Sequence, residues 1–375
     1  MNGTLLDYQA ATVGFAVALL LAVLLTPVVA QAAWRAGAVD RSTDARRMHD
    51  RPTPLLGGLA ILAAISVPAF ALGEDHGYWG VMIGAVLMSG FGALDDIYPL
   101  HPAAKLAGQI AIAALPISLG ITIDHVTLPL LGAFDLGFWQ YAVTVVCIVA
   151  IANVVNFIDG MDGLAAGFCA IAALTFSILS ASLGRLDAAA ISAIVAGAAL
   201  GFLFHNFHPA TVFMGDAGAL MLGYLLAVLA IQGVLKTAAA VSLVFPLVIL
   251  ALPILDTSFV ILKRLKHGRP IYQADRWHFH HRFAAVGFSQ RRAALTLYGW
   301  CLSLSGLALA IRFVPDHRHG WDPLALVVLG VVGAVAGGWS LYVIYRLEIL
   351  KPRHLRAIGR FRGSTDDLPQ SGPVA

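Results

Sequence analysis

The sequence predicts an all-α integral membrane protein, a polytopic bundle of about eleven transmembrane helices. Two observations predict this class. Hydrophobic residues make up 59% of the 375 positions and charged residues only 12%, a composition that the surface of a soluble protein does not carry. Several apolar runs also reach the roughly 20 residues that a helix needs to cross the hydrocarbon core of a bilayer.

The apolar runs predict where the spans lie and how they are oriented. The eleven spans are centred near residues 21, 63, 87, 112, 148, 173, 195, 226, 250, 303 and 334. Loops on one side carry 20 of the 24 lysines and arginines, and the richer side is the cytoplasmic one. We therefore expect the N-terminus outside and the C-terminus in the cytoplasm. Residues 1–347 are expected to form a single transmembrane domain that carries the functional site, and residues 348–375 a cytoplasmic tail.

Acidic residues near the ends of the spans give the main functional signal. Carboxylates inside a membrane are energetically expensive, so those that occur there usually serve a function. The predicted topology places five of them at cytoplasmic span ends: Asp95, Asp96, Asp159, Asp162 and Asp216. Separate acidic motifs are thus expected to meet on one face of the membrane.

The first motif is "NVVNFIDGMDGL", at the end of an apolar run. Asn153, Asn156, Asp159 and Asp162 recur every three residues and cover one side of a helix over three turns. That side must face water or a ligand. The simpler alternative is a capped helix end at a wet loop, which leaves the two amides deep in the run unexplained.

The second motif is "GALDDIYPLHPAAK". Adjacent residues point about 100° apart on a helix, so Asp95 and Asp96 are expected to have separate roles instead of chelating one ion as a pair. Lys105 could contact a phosphate as a point charge, or it could anchor the next span at the interface. The alternative is a solvated loop with a lysine that reaches the membrane surface.

The third motif, "HPATVFMGDAGALMLG", places Asp216 between Gly215 and Gly218 just before an apolar helix. A carboxylate there could hold Mg²⁺ while the free N–H groups of the helix face an anion. An aspartate that merely caps the helix is the simpler alternative.

The fourth motif, "ADRWHFHHRF", lies in a loop rich in lysine and arginine. The alternation is strand-like and would place His278 and His280 on one face, with His281 and Arg282 extending the set. So much positive charge favours binding of a phosphorylated group over a zinc site or a plain basic membrane-surface loop. Acids for a hard divalent ion and a basic loop together indicate transfer of a phosphorylated group.

Taken together, five stretches resemble the polyprenyl-phosphate N-acetylhexosamine-1-phosphate transferase family, of the glycosyltransferase family 4 type. They occur in the family's order between residues 49 and 281, and the "HFHH" form resembles the glycan-initiating branch. The stretches are "HDRPTPLLGGLAI", "LDDIYPLHPAAKLAGQ", "NVVNFIDGMDGLAAG", "FHPATVFMGDAGALMLG" and "LPILDTSFVILKRLKHGRPIYQADRWHFHH".

The resemblance implies an enzyme of the bacterial inner membrane with an active site that faces the cytoplasm. It would transfer N-acetylhexosamine 1-phosphate, above all GlcNAc 1-phosphate, from a UDP-sugar to undecaprenyl phosphate. UMP would be released and a cell-envelope polysaccharide, such as the O-antigen of lipopolysaccharide, would be started. The implied cofactor is Mg²⁺, with Mn²⁺ as an alternative. Membrane lipid is an expected partner, nucleic acid is not, and a homodimer is left open.

The resemblance also implies roles for single residues. Asp216 corresponds to the family's magnesium ligand, and Asp95 to the carboxylate proposed to deprotonate or orient the lipid phosphate, with Asp96 beside it. Asp159 and Asp162 complete the implied catalytic set. The implied substrate-binding residues are Asn156, Phe213, His278, His280, His281 and Arg282, and the motifs themselves add Lys105 and Asn153 as candidates. Ala219 departs from the family, which usually has Ser there, so a role for that position is not carried over.

Two other classes compete with this interpretation. An ion- or proton-coupled transporter could use acidic residues in its helices, but it predicts acids near the bilayer centre instead of at one face. An intramembrane aspartyl protease could use the "MGDAG" stretch, but it has no need of the basic histidine loop.

Overall fold

The structure is a computed structural model. It describes residues 3–40, 52–72, 76–128, 132–235, 244–266, 282–283, 286–314 and 323–347. Most of these residues are helical, so the expected all-α class is confirmed. The helices are α1 Gly3–Ala36, α2 Gly57–Leu72, α3 His76–Ile97, α4 Pro102–Ala113, α5 Leu115–Ser118, α6 Trp139–Ile158, α7 Leu164–Ser182, α8 Leu186–Asn206, α9 Gly215–Ala230, α10 Val244–Ile249, α11 Ala251–Lys266, α12 Gln290–Phe313 and α13 Pro323–Arg346.

Two small antiparallel ribbons and one π-helical turn complete the described part of the chain. Strands β1 (Val39–Asp40) and β2 (Thr53–Pro54) pair after α1. Strands β3 (His125–Leu128) and β4 (Gly132–Asp135) pair just before α6. Helix α9 continues directly into the π-helical turn Ile231–Leu235. Since neither ribbon extends beyond two strands, the helices alone build the core.

Eight helices in the described ranges are long and apolar enough to cross a membrane: α1, α3, α6, α7, α8, α12 and α13, together with α9 and its π-helical extension. Near three of the expected span centres the helices are shorter. Helix α2 has 16 residues, α4 has 12, and α10 has 6 before α11 begins. These lengths fall below the roughly 20 residues of a full span. The multi-pass architecture is confirmed, whereas the number eleven and the orientation of the termini stay predictions.

Helix α9 forms the centre of the bundle. Every residue from Ala217 to Ala230 is buried, which is typical of a helix enclosed by other helices and not one that faces lipid. It packs against α2, α3, α6 and α7. Helices α1 and α8 form a second close contact, in which a Cβ on Gly197 would lie 2.2 Å from the carbonyl oxygen of Phe15. Small residues at such positions let membrane helices approach closely.

The packing of α3 and α6 against α9 brings three helix ends together. Helix α3 ends at Ile97, α6 ends at Ile158 and α9 begins at Gly215, and both α3 and α6 pack along α9. The acidic motifs occupy these three ends. Residues 348–375, the expected tail, lie outside the described residues, as do His278, His280 and His281 of the basic loop.

Candidate active site

Asp216, in the first turn of α9, lies at the centre of the polar cluster. Its Oδ1 accepts a hydrogen bond from the side-chain amide of Asn156 at 2.6 Å. Its Oδ2 forms an ion pair with the ammonium group of Lys105, which also lies 2.7 Å from Oδ2 of Asp95. Residues from α3, α4, α6 and α9 therefore contact one another at a single point.

The two adjacent aspartates of α3 point to different partners, as the helical geometry predicts. Asp95 pairs with Lys105 and accepts the backbone N–H of Leu100 at 2.7 Å. Asp96 instead accepts the backbone N–H groups of Asp216 and Ala217 at 2.8 and 3.0 Å. These are among the first N–H groups of α9, which have no partner within the helix itself. Asp96 thus caps α9 from a neighbouring helix.

The polar face of α6 extends the cluster away from Asp216. The side-chain amides of Asn153 and Gln109 exchange two hydrogen bonds, at 2.6 and 3.3 Å. Gln109, in α4, is only 1% exposed. It was not among the site residues predicted from the sequence. A single glutamine within the apolar run "KLAGQIAIA" was the available signal. The pair joins α4 to α6 one turn from Asn156.

Asp159 lies at the end of α6, next to the other carboxylates. Burial, followed by the negative charges of neighbouring carboxylates, raises the pKa of Asp159 well above its usual value. The carboxylates that contribute are those of Asp216, Asp96 and Asp162, in that order. A positive ion placed among them would lower the pKa of Asp159 again, because an opposite charge favours the ionised form. The cluster therefore favours a cation.

Asp162 is enclosed more completely than the other predicted acids. Its side chain is 1% exposed, and Oδ2 lies 2.7 Å from Nδ1 of His208 and 3.0 Å from the backbone N of Ala210. His208 was also missed by the sequence reasoning. Its position directly before a proline in "NFHPAT" predicts a turn but gives no sign of the partner.

Phe213, Arg282 and Ala219 have surroundings of their own. Phe213 is half-buried in the loop before α9, and its backbone pairs with Pro54 and Gly57 at 2.9 Å each. The guanidinium carbon of Arg282 lies 4.9 Å from the centre of the Phe259 ring, in the geometry of a cation–π contact. Ala219 is completely buried in α9.

The cluster contains carboxylate and amide oxygen atoms from three helices, α3, α6 and α9. In the described parts of the chain, no group of three or more His, Cys, Asp or Glu side chains is arranged as a finished metal site. The ammonium group of Lys105 supplies the positive charge between Asp95 and Asp216. Carboxylate and amide oxygens are the ligands that Mg²⁺ and Mn²⁺ prefer.

The close contact between α3 and the start of α9 leads to a first testable prediction. A Cβ on Gly92 would lie 2.4 Å from the carbonyl oxygen of Asp216, whereas a Cβ on Gly90, in the same helix, would meet nothing within 4 Å. We expect Gly92→Ala to lower stability by about 1–3 kcal/mol, as overpacking does, and to displace Asp216. Gly90→Ala should be harmless.

Thermal unfolding of both purified variants in the same detergent measures the difference. Equal melting temperatures for Gly92→Ala and Gly90→Ala would contradict the close approach of α3 to Asp216. Comparing the two variants cancels the general effect of a Gly→Ala substitution on helix stability, which is the same at both positions.

The helical bundle and the polar cluster at its helix ends define a multi-pass membrane protein with a buried, acid-rich site. Comparison with known proteins shows its family. Residues 78–234 match the family described as glycosyl transferase family 4. The chain is also 39% identical over 302 residues to the probable undecaprenyl-phosphate N-acetylglucosaminyl 1-phosphate transferase of Bacillus subtilis, covering 79% of this chain and 84% of that protein. The chain therefore belongs to glycosyl transferase family 4.

Two further relatives support the same family. The decaprenyl-phosphate N-acetylglucosaminephosphotransferase of Mycobacterium tuberculosis is 33% identical over 339 residues, which cover 82% of this chain and 84% of that protein. The phospho-N-acetylmuramoyl-pentapeptide-transferase of Desulforudis audaxviator is 34% identical over 336 residues, which cover 80% of this chain and 96% of that protein. The family that the motifs indicated is confirmed, and the transporter alternative finds no support.

Proposed function

We propose that this protein transfers N-acetylglucosamine 1-phosphate from a UDP-sugar to undecaprenyl phosphate at the cytoplasmic face of the bacterial inner membrane. UMP leaves, and the lipid-linked sugar starts a cell-envelope polysaccharide. The observation that carries the proposal is the contact of Lys105 and Asn156 with Asp216 at the meeting point of four helices. Relatives named as transferases of this kind cover most of the chain, which supports the same assignment.

In the proposed reaction, an oxygen of the lipid phosphate attacks the β-phosphorus of the UDP-sugar. The bond from this phosphorus to the oxygen that bridges the two phosphates breaks, and UMP departs with that oxygen. Such transfers need little covalent chemistry from the protein, so positioning and charge stabilisation supply most of the catalysis.

The residues of the cluster would divide this work. Asp95 would orient the attacking lipid phosphate, and Lys105 would offset negative charge on the phosphates. Asn156 holds the carboxylate of Asp216 in place through its 2.6 Å hydrogen bond. Asp216 would be a ligand of Mg²⁺, which would neutralise the diphosphate of the donor when bound. Arg282 and the histidines of the basic loop, His278, His280 and His281, would hold the diphosphate from the cytoplasmic side.

One assay tests the proposal. Purified protein is incubated with UDP-GlcNAc, undecaprenyl phosphate and Mg²⁺, and UMP and the lipid-linked product are measured. We expect both products in equal amounts, loss of both on addition of EDTA, and recovery with excess Mg²⁺ or Mn²⁺. UDP-GalNAc serves as the matched donor because it differs from UDP-GlcNAc in the orientation of one hydroxyl group. Well-folded protein that gives no product with either donor would contradict the proposal.

A further inference from the structure

The most enclosed carboxylate of the site is that of Asp162. The Asp162 side chain is 1% exposed, whereas that of Asp216 is 26% exposed. A buried carboxylate must be hydrogen-bonded or paired, because an isolated buried charge is strongly unfavourable. The fold pairs the Asp162 carboxylate with the loop between α8 and α9, residues 207–214.

Two donors from this loop converge on one oxygen atom of Asp162. Nδ1 of His208 lies 2.7 Å from Oδ2, and the backbone N of Ala210 lies 3.0 Å from the same atom. If Asp162 is ionised, its oxygen atoms only accept hydrogen bonds, and this contact then requires the proton on Nδ1 of His208. The backbone carbonyl of His208 is held in turn by Nε of Arg291, in the first turn of α12, at 2.9 Å.

Asn206 and Tyr298 reinforce the same junction on Gly163, the residue after Asp162. Oδ1 of Asn206 accepts the N–H of Gly163 at 3.0 Å, and its amide group donates to the carbonyl of Val212 at 2.9 Å. The hydroxyl group of Tyr298 donates to the carbonyl of Gly163 at 2.5 Å. The turn after α6 and the loop before α9 are thus joined at several points.

These two segments carry the reactive carboxylates. Asp159 lies three residues before Asp162, and Asp216 lies two residues after the 207–214 loop. Any slippage between the segments changes the separation of Asp159 and Asp216. A displacement of about 1 Å between reacting groups can reduce a rate on the order of 10²-fold.

We propose that His208 is a positioning residue: by donating from Nδ1 to the buried Asp162 carboxylate, it fixes the segment that carries Asp159 relative to the segment that carries Asp216. In this arrangement Asp162 serves as a hydrogen-bond acceptor within the protein, and His208 acts through it without touching substrate. The kinetic part of this inference rests on the proposed function.

Three substitutions of His208 distinguish positioning from other roles. In His208→Asn, the side-chain amide nitrogen takes the place of Nδ1, because both atoms are the same number of bonds from Cβ. His208→Gln moves the donor to the place of Nε2, and His208→Ala removes it. We expect His208→Ala and His208→Gln to reduce kcat about 10-fold to 100-fold with a smaller change in KM, as misplaced groups do. His208→Asn should remain within about threefold of the native protein, since it restores the hydrogen bond.

A double-mutant cycle tests the partner. If His208 acts through Asp162, the double variant His208→Ala/Asp162→Ala should lose no more activity than the more damaged single variant. Losses that multiply would contradict the pairing. A His208→Asn variant as impaired as His208→Ala would also overturn the proposal, because the imidazole itself would then be required.

Hydrogen exchange of the full-length protein in detergent gives a readout that needs no substrate. His208→Ala should speed amide exchange in both segments, residues 159–164 and 207–214, and His208→Asn should not. Unchanged exchange in His208→Ala would overturn the positioning role even if activity fell. An inactive native protein would instead refute the proposed function and leave the exchange result to decide on His208.

Discussion

Asp216→Asn is expected to reduce transferase turnover on the order of 10³-fold, the scale on which removal of a charge-stabilising group slows phosphoryl transfer. Both oxygen atoms of Asp216 accept hydrogen bonds, one from Asn156 and one from Lys105. An asparagine offers only one acceptor, so its NH₂ group must face one of these two donors. The substitution also removes the charge that would bind Mg²⁺.

The fold should survive this change, because Ala217 to Ala230 keep α9 enclosed in the bundle. Steady-state turnover of purified Asp216→Asn at saturating Mg²⁺ measures the effect, with circular dichroism and gel filtration to verify the fold. Asp135→Asn is the matched control. Asp135 precedes α6, whereas Asp159 follows it, and a helix of 20 residues places these carboxylates about 30 Å apart. Near-native turnover of Asp216→Asn would remove Asp216 from the metal site.

Asp96→Ala is expected to impair both activity and stability. Asp96 accepts the N–H groups of Asp216 and Ala217, and its Oδ2 would lie 2.5 Å from a Cβ on Gly215, so it closely surrounds the start of α9. Loss of a helix cap costs about 1–2 kcal/mol of stability. The first turn of α9 would also loosen, and we expect turnover to fall about 10²-fold because Asp216 is no longer held in place.

Turnover and melting temperature of Asp96→Ala should therefore fall together. Asp96→Asn should be less damaging, because its one remaining acceptor can still bind one of the two N–H groups. Leu94→Ala is a suitable control in the same helix, since Leu94 is an exposed apolar side chain. If Asp96→Ala kept its melting temperature but lost all turnover, direct contact of Asp96 with substrate would replace capping as its role.

Much of the architecture and part of the site could be predicted from the sequence. The mostly apolar composition predicted the bundle, and the angle between neighbouring helical residues predicted that Asp95 and Asp96 point to different partners. Asp216 and Asn156 stood out because polar residues at the ends of apolar runs are costly without a function. Their direct contact then follows from the packing of α6 against α9.

The pairings of Asn153 and Asp162 could not be predicted. Gln109 and His208 are separated from these partners by 44 and 46 residues, and only the packing of the helices brings each pair together. Single polar residues without a repeating pattern give no periodic signal in a sequence. Spans were expected near α2 and α4, but the short length of these two helices could not be predicted, since an apolar run does not reveal where its helix ends.

The position of a radioactive phosphorus label tests the central claim most directly. UDP-GlcNAc labelled with ³²P at the β-phosphate is incubated with the purified protein, Mg²⁺ and undecaprenyl phosphate, and the lipid and water phases are separated. Transfer of the sugar together with its phosphate predicts that the label enters the lipid phase, in an amount equal to the unlabelled UMP released, and that Asp216→Asn blocks this. A label that remains in water-soluble UDP while the sugar reaches the lipid would contradict the account.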